Sequence, residues 1–328
     1  MPSLTPRLDK LDKNYIINGN FDYWQRGTSS TTITSVFLAD RFTTVQTGGS
    51  VSITRSTDVP DANSEFSISH AVTSALLPEL RHKIESLFSR DLANKTATFK
   101  IKYKVTDSTL VPLKVVFATA NAKDNFSAIT EFSTLTINAA PTASGWQTYT
   151  VSLAVPAGAF NGLQIRLVRD NGAVVATTTT LYSQMQLLIG TNADPDFSYA
   201  GRDVVQELAL CRRYYEKSFA VDTIPANGGS ATTLVEPTNA AGYLAGNTLL
   251  EQTVPFKVTK RASPTVTVFG NSSGRAIYSA LNNGAITGSG TISTGPVGAS
   301  GVNGINVNQQ DASAFLTVKF HYAADAEL

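Results

Sequence analysis

Thr98-Phe99-Lys100-Ile101-Lys102-Tyr103 alternates apolar and cationic side chains almost without a break, and Lys104 continues the pattern. A strand turns successive side chains to opposite faces, so Phe99, Ile101 and Tyr103 are expected in a core and Lys100, Lys102 and Lys104 in water. Segments of similar character extend in both directions. Ile33–Phe37, Phe42–Thr47, Val51–Thr57 and Phe66–Val72 precede this one; Lys114–Ala118, Glu131–Ile137, Thr148–Leu153, Leu163–Val168 and Leu181–Leu188 follow. About ten such β-branched and aromatic segments within residues 14–200 imply an all-β fold, a jelly-roll β-sandwich.

Composition agrees. The chain has 328 residues, enough for about two domains. Thr and Ser number 40 and 30, which favours strands and turns. Charged residues are 16% of the chain, against about a quarter in an average soluble domain. A net charge of +1 gives no long-range field for nucleic acid or an anionic membrane. No apolar run reaches the roughly 18–20 residues of a membrane span. The single cysteine, Cys211, excludes an intrachain disulfide and a cysteine-based zinc site, and His70, His82 and His321 lie far apart. Residues 1–13 are polar, carry Pro2 and Pro6 and have no apolar leader core; they read as an attachment arm or a frayed end.

Two helices are expected. Pro78–Phe88 places Leu80, Ile84, Leu87 and Phe88 at helical spacing. A connecting helix within residues 201–218 starts at Asp203, a good N-cap with Gln206 three positions on. Val204, Leu208, Cys211 and Tyr215 form its apolar stripe, which makes Cys211 a buried small hydrophobe rather than a nucleophile. Residues 219–328 then read as a smaller C-terminal β-sandwich, with strands at Val254–Val258, Thr265–Phe269, Ala276–Ala280 and Ala314–Phe320. Only eight charged residues stand between Phe219 and Val318, which points to surface covered by other copies of the chain. Gly284–Val307 reads as loops at a distal tip.

Catalytic patterns are missing. No G-x-S-x-G occurs, the acidic residues show no paired spacing, and neither Gly48-Gly49 nor Gly228-Gly229 leads into a phosphate-binding Lys-Ser/Thr. The expectation is a protein that is not an enzyme. Glycan binding needs an aromatic face with planar polar neighbours. Trp24 with Gln25 and Arg26, Trp146 with Gln147, and Tyr243 are the candidates, with core or sheet-end packing as the other reading of each tryptophan. No metal set is expected, although oxygen atoms of the loop Asn18–Asp22 offer a conceivable Ca2+ position.

Several segments together resemble a family of bacteriophage and prophage tail-fibre-like virion proteins with a carbohydrate-binding-module-like jelly roll. They are Asn14-Tyr15-Ile16-Ile17-Asn18-Gly19-Asn20-Phe21, Trp24-Gln25-Arg26-Gly27-Thr28, Ala39-Asp40-Arg41-Phe42, Gly145-Trp146-Gln147-Thr148-Tyr149 and Glu207-Leu208-Ala209-Leu210-Cys211-Arg212-Arg213-Tyr214-Tyr215-Glu216-Lys217. Pro255-Phe256-Lys257-Val258 and the terminal His321–Leu328 extend the likeness into the second half. The resemblance implies a structural role for Asn18, Gly19, Phe21, Asp40, Arg41, Leu208, Cys211, Tyr214 and Tyr215. It implies a virion appendage made in the host cytoplasm, a homotrimer that docks to another virion protein through the arm and attaches to host surface glycan. An architectural head or collar fibre or capsid decoration is the alternative, and a polysaccharide-degrading tailspike a further one. The chain departs from the family at Leu188-Ile189-Gly190, where relatives tend to carry Glu before the Gly, and at Phe42, where Trp is common; the first departure weakens the Ca2+ idea.

Overall fold

A computed structural model of the chain describes residues 13–31, 36–106, 112–138, 145–170, 175–191, 197, 203–221, 223–226, 248–269, 277–279, 281–282, 285–286, 303–311, 317–319 and 321–328. The chain divides into two compact units, Met1–Leu208 with Leu328, and Ala209–Glu327.

The first unit is built from ten strands: β1 (Ser29–Thr31), β2 (Val36–Phe37), β3 (Phe42–Ser56), β4 (Ser67–Ile84), β5 (Thr96–Val105), β6 (Leu113–Ala122), β7 (Asn125–Asn138), β8 (Gln147–Ala154), β9 (Leu163–Arg169) and β10 (Val175–Ile189). All pairings are antiparallel, and the main hydrogen-bonded path runs β7-β6-β9-β4-β10-β5-β8, with β3 also beside β4. Strands β3 and β4 pair along nearly their whole length, and their register slips between Val45 and Val51. On its other side β4 changes partner at the same place. Ile68–Ala75 pair with β10, whereas Glu79–Ile84 pair with β9. The path therefore folds over at β4 into two layers. Phe99 of β5 and Phe117 of β6 stand far apart along it, yet their rings meet edge-on at 5.4 Å. Phe99, Ile101, Tyr103, Val115, Phe117, Ile165, Leu167, Ile53, Leu80 and Trp24 share this core.

The alternation in β5 places Phe99, Ile101 and Tyr103 inside, as expected. Lys102 and Lys104 are half-buried, but Lys100 is only 4% exposed. It lies opposite Gln186, beyond the bulge at Ser183–Gln186 in β10. There the flank of β10 that β4 has left is taken by the chain near Asn14–Gly19, through Tyr15 N–H to Leu187 O (3.0 Å) and Met185 N–H to Gly19 O (2.8 Å). Coverage of this part of the sheet depends on more than strand alternation.

The expected helix over Pro78–Phe88 is not formed. Residues up to Ile84 belong to β4, and α1 is the single turn Ser86–Ser89. Leu80, His82 and Ile84 face the core while Glu79, Arg81 and Lys83 face out, a period-2 pattern satisfied by pairing on both flanks. Helix α2 runs Val204–Arg212 with reciprocal capping bonds, Gln206 N–H to Asp203 Oδ1 (2.7 Å) and Asp203 N–H to Gln206 Oε1 (3.1 Å). It stops earlier than expected, because Tyr215 starts β11 (Tyr215–Lys217). Cys211 is buried, as expected of the apolar stripe, but two other positions differ: Val204 is exposed and Glu207 is buried.

In the second unit β11 pairs with the terminal strand, which in turn pairs with a third. With β12 (Thr248–Pro255), β13 (Thr265–Phe269), β14 (Ile277–Ser279), β15 (Leu281–Asn282), β16 (Ala285–Ile286), β17 (Gly304–Asp311), β18 (Thr317–Lys319) and β19 (His321–Asp325), the described residues form one three-stranded ladder, β11-β19-β13, and three two-stranded ones. Its centre is Glu216, fully buried. Its carboxylate accepts from Lys260 Nζ (2.7 Å), Tyr322 Oη (2.7 Å) and Lys257 N–H (2.9 Å).

Candidate functional site

The register of β2, β3, β4, β9, β6 and β7 sets which side chains share the outer face of the second layer. One cross-strand row reads Phe37, Thr43, Arg81, Arg166, Val116, Thr134; the next reads Lys83, Gln164, Ala118, Glu131. Val116 and Ala118 are buried although they face away from the core, so the longer neighbours fold over them. Those neighbours form a chain of ion pairs. Glu79 Oε2 accepts from Arg81 Nε at 2.6 Å, Glu79 Oε1 from Arg166 Nη1 at 3.3 Å, and Glu131 Oε1 from Arg166 Nη2. Rings stand at both margins. The Arg26 guanidinium lies 5.2 Å from the Phe37 ring centre, and Lys83 Nζ lies 5.3 Å from that of Phe126 while donating to Leu328 O at 2.6 Å.

Three polar atoms of this face are shielded from water and have no hydrogen-bond partner among the described residues: Thr43 Oγ1, Gln164 Oε1 and Arg166 Nε. Gln164 as a whole is 1% exposed. Each such atom costs about 1–3 kcal/mol unless something meets it. Two strand spacings, about 10 Å, separate Thr43 from Arg166.

The residues singled out from sequence fall elsewhere. Trp24 is 0% exposed, and its indole N–H is spent on Phe21 O at 2.6 Å. It offers no stacking face; the ring fills the core instead. Gln25 is buried and donates from Nε2 to Asp40 Oδ2 at 2.6 Å, and Arg26 Nη1 stands 3.9 Å from Asp40 Oδ1. Asp40 is thus a structural hub. Around it Asn18 bonds Tyr23 N–H and O and Asp40 O, all at 3.0 Å, with positive φ at Asn18 (59°), Phe21 (58°) and Arg41 (73°). Glu207 completes the turn by accepting Asn18 N–H at 2.5 Å, a partner that sequence reasoning did not find. The oxygens offered for Ca2+ are engaged here. Asn20 Oδ1 accepts from Ser64 Oγ (2.7 Å) and Asp22 accepts from Asn20 Nδ2 (3.3 Å). Among the described residues no three His, Cys, Asp or Glu side chains gather at a metal position. Leu208 is half-buried; Cys211, Tyr214 and Tyr215 are buried. Tyr243, residues 1–12 and most of the expected distal loops lie outside the described residues.

Trp146 is half-buried immediately before β8, on the outer side of the layer formed by β10, β5 and β8. Its Nε1 donates to Asp58 Oδ1 at 2.9 Å, and Asp58 Oδ2 accepts from Lys104 Nζ at 2.6 Å. Next to it, Gln147 Oε1 accepts the Tyr103 hydroxyl at 2.8 Å.

No protein-family model matches the chain, and no curated protein does. Among solved structures it is similar to the enzymatically active domain of bacteriophage CBA120 tailspike protein 4, at 12% identity and a TM-score of 0.36 over 54% of this chain and 21% of that one. It is also similar to a carbohydrate-binding module of class CBM4, at 21% identity and a TM-score of 0.35 over 53% of this chain and 98% of the module. The CBM22-1 xylan-binding domain of Paenibacillus barcinonensis Xyn10C is similar at 12% identity and a TM-score of 0.35, over 56% of this chain and 97% of that domain. The chain spans only a fifth of the tailspike's own length.

Proposed function

We propose that the chain is a virion attachment subunit whose N-terminal sandwich holds surface glycan, without cleaving it, on the outer face carrying Arg81, Gln164 and Arg166. The observation that carries the binding role is the trio of shielded, unmatched polar atoms on that face. They comprise an N–H donor, a carbonyl acceptor and a hydroxyl, and a polyhydroxyl ligand supplies the complement of each once the long side chains folded over them part. The virion assignment and the homotrimer rest on the motif resemblance, and the scarcity of charge between Phe219 and Val318 supports association between copies. Weak contacts from several copies then add by avidity. Holding rather than cleaving is favoured because Glu79 and Glu131 are both paired with Arg166, whereas a glycosidase acid sits in an apolar setting.

A glycan array, with host-cell adsorption and reducing-sugar release run alongside, tests this reading. Binding without sugar release is expected. Gln164→Leu, close to isosteric, is expected to weaken the binding about tenfold. An unchanged affinity in that variant refutes the assignment of the face, and sustained sugar release refutes the holding role. Sedimentation tests the oligomer: a stable monomer at micromolar concentration counts against the trimer.

A further inference from the structure

We propose a second saccharide site on the opposite layer of the same sandwich, with the Trp146 ring as its stacking platform and the Asp58 carboxylate and the Thr148 hydroxyl as its polar margin. It takes a neutral pyranose. The inference goes beyond the glycan face described above, since its residues lie on other strands and on the other layer.

The ring is held rather than merely placed. An indole at a strand start is ordinarily free to rotate about two torsions, yet here its N–H is fixed by Asp58, and Asp58 is fixed in turn by Lys104. Lys104 beside Asp58 holds that carboxyl below the ordinary carboxylate value, so the clamp is charged at neutral pH. A fixed ring loses little entropy on stacking, and preorganisation of this kind makes a weak aromatic contact useful. The C–H-rich face of a pyranose suits the electron-rich face of an indole. The carboxylate remains partly open to solvent, 43% exposed at the side chain, and each of its oxygens has a further lone pair for a sugar hydroxyl. Thr148 and Thr150 continue the outer row along β8, both exposed, opposite Lys102 and Lys100. Lys102 is paired with Asp61, as Lys104 is with Asp58, so these two cations are neutralised by two carboxylates, and the third lysine of the row, Lys100, is buried. Nothing in this balance selects an acidic sugar.

The chain has two tryptophans, and the other, Trp24, is sealed in the core. Ligand-dependent changes in tryptophan emission therefore report Trp146. The full chain is titrated with neutral hexasaccharides of glucose, galactose, xylose and N-acetylglucosamine, with polygalacturonate as the charged control. The site predicts a saturable emission change with at least one neutral hexasaccharide and none with polygalacturonate. By calorimetry, Trp146→Ala is expected to weaken that ligand about tenfold, the scale of an aromatic stacking contact, and Trp146→Phe less than that. Asp58→Asn, which weakens the clamp but keeps the ring, is expected to reduce affinity by a smaller factor. Gln164→Leu leaves the Trp146 signal unchanged. Saccharide binding that Gln164→Leu impairs, with flat emission and no effect of Trp146→Ala, overturns this site and leaves the first face standing. The reverse pattern supports this site and overturns the first. No saccharide binding by the unaltered chain overturns both, and a response to polygalacturonate alone overturns the neutral-pyranose assignment.

Discussion

Lowering the pH to 5 should destabilise the sandwich through His70, an imidazole sealed between the two layers. His70 is 1% exposed, faces Thr44, whose Oγ1 is 3.3 Å from Nε2, and lies 6.5 Å ring to ring from Tyr182. Burial, with the Arg169 guanidinium adding repulsion, pushes its pKa down to about 4. Unfolded, the same group titrates near 6.5, so the unfolded chain binds the proton first as pH falls. The stability His70 allows is complete above pH 6.5 and is lost progressively as pH falls from there toward 4. Integrating the two titration curves gives a loss of about 2 kcal/mol at pH 5 and about 3 kcal/mol at pH 4. The assay is urea unfolding at pH 7.5 and pH 5 for the unaltered chain and for His70→Gln. His82, whose pKa is also lowered by burial, acts in the same direction in both proteins, so the difference between the two pH dependences isolates His70. The unaltered chain should lose about 2 kcal/mol more than the variant. Equal losses, or a native-state His70 resonance titrating near 6.5, refute the reasoning.

Two further outcomes follow from the geometry. A Cβ at Gly19 would stand 2.2 Å from Met185 O, a backbone atom that is itself tied into the flank of β10; Gly19→Ala is expected to cost about 1–3 kcal/mol in urea unfolding. Glu216→Ala strands the buried Lys260 ammonium, whose side chain is 0% exposed, and is expected to cost about 3–5 kcal/mol, whereas Glu216→Gln, which keeps an acceptor, costs less. A thermal or urea scan in which the two Glu216 variants match refutes the ion-pair account.

The strands of the sandwich were legible because they repeat a two-residue period, and α2 because its cap is local. Where reading failed, the missing information was distant in sequence. In Pro78-Glu79-Leu80-Arg81-His82-Lys83-Ile84 the alternation was present, but His82 stood in an apolar place and hid it, while Leu80 and Ile84 also fit a helix. Pairing with β3 and β9 decided between the two, and those partners lie tens of residues away. The same ambiguity masks Arg81 and Lys83, and with them the candidate face. Gln164 and Arg166 alternate visibly with Leu163, Ile165 and Leu167, yet what makes the face a site is its register with five other strands. Trp24 was attractive as a large aromatic beside planar polar groups; the turns at Asn18 and Arg41 turn that group inward instead. Glu207 gave no signal at all, since a carboxylate on a helix is ordinarily solvated and its partner is Asn18.

Because β3 and β4 each serve in both layers, the two sheets have no independent existence. Melting one ladder removes the backbone that completes the other, and a partly opened sandwich would expose the N–H and C=O groups of both. Hydrogen exchange across the first unit is therefore expected to follow a single cooperative opening, with local fraying at the outer strands β1, β2, β7 and β8.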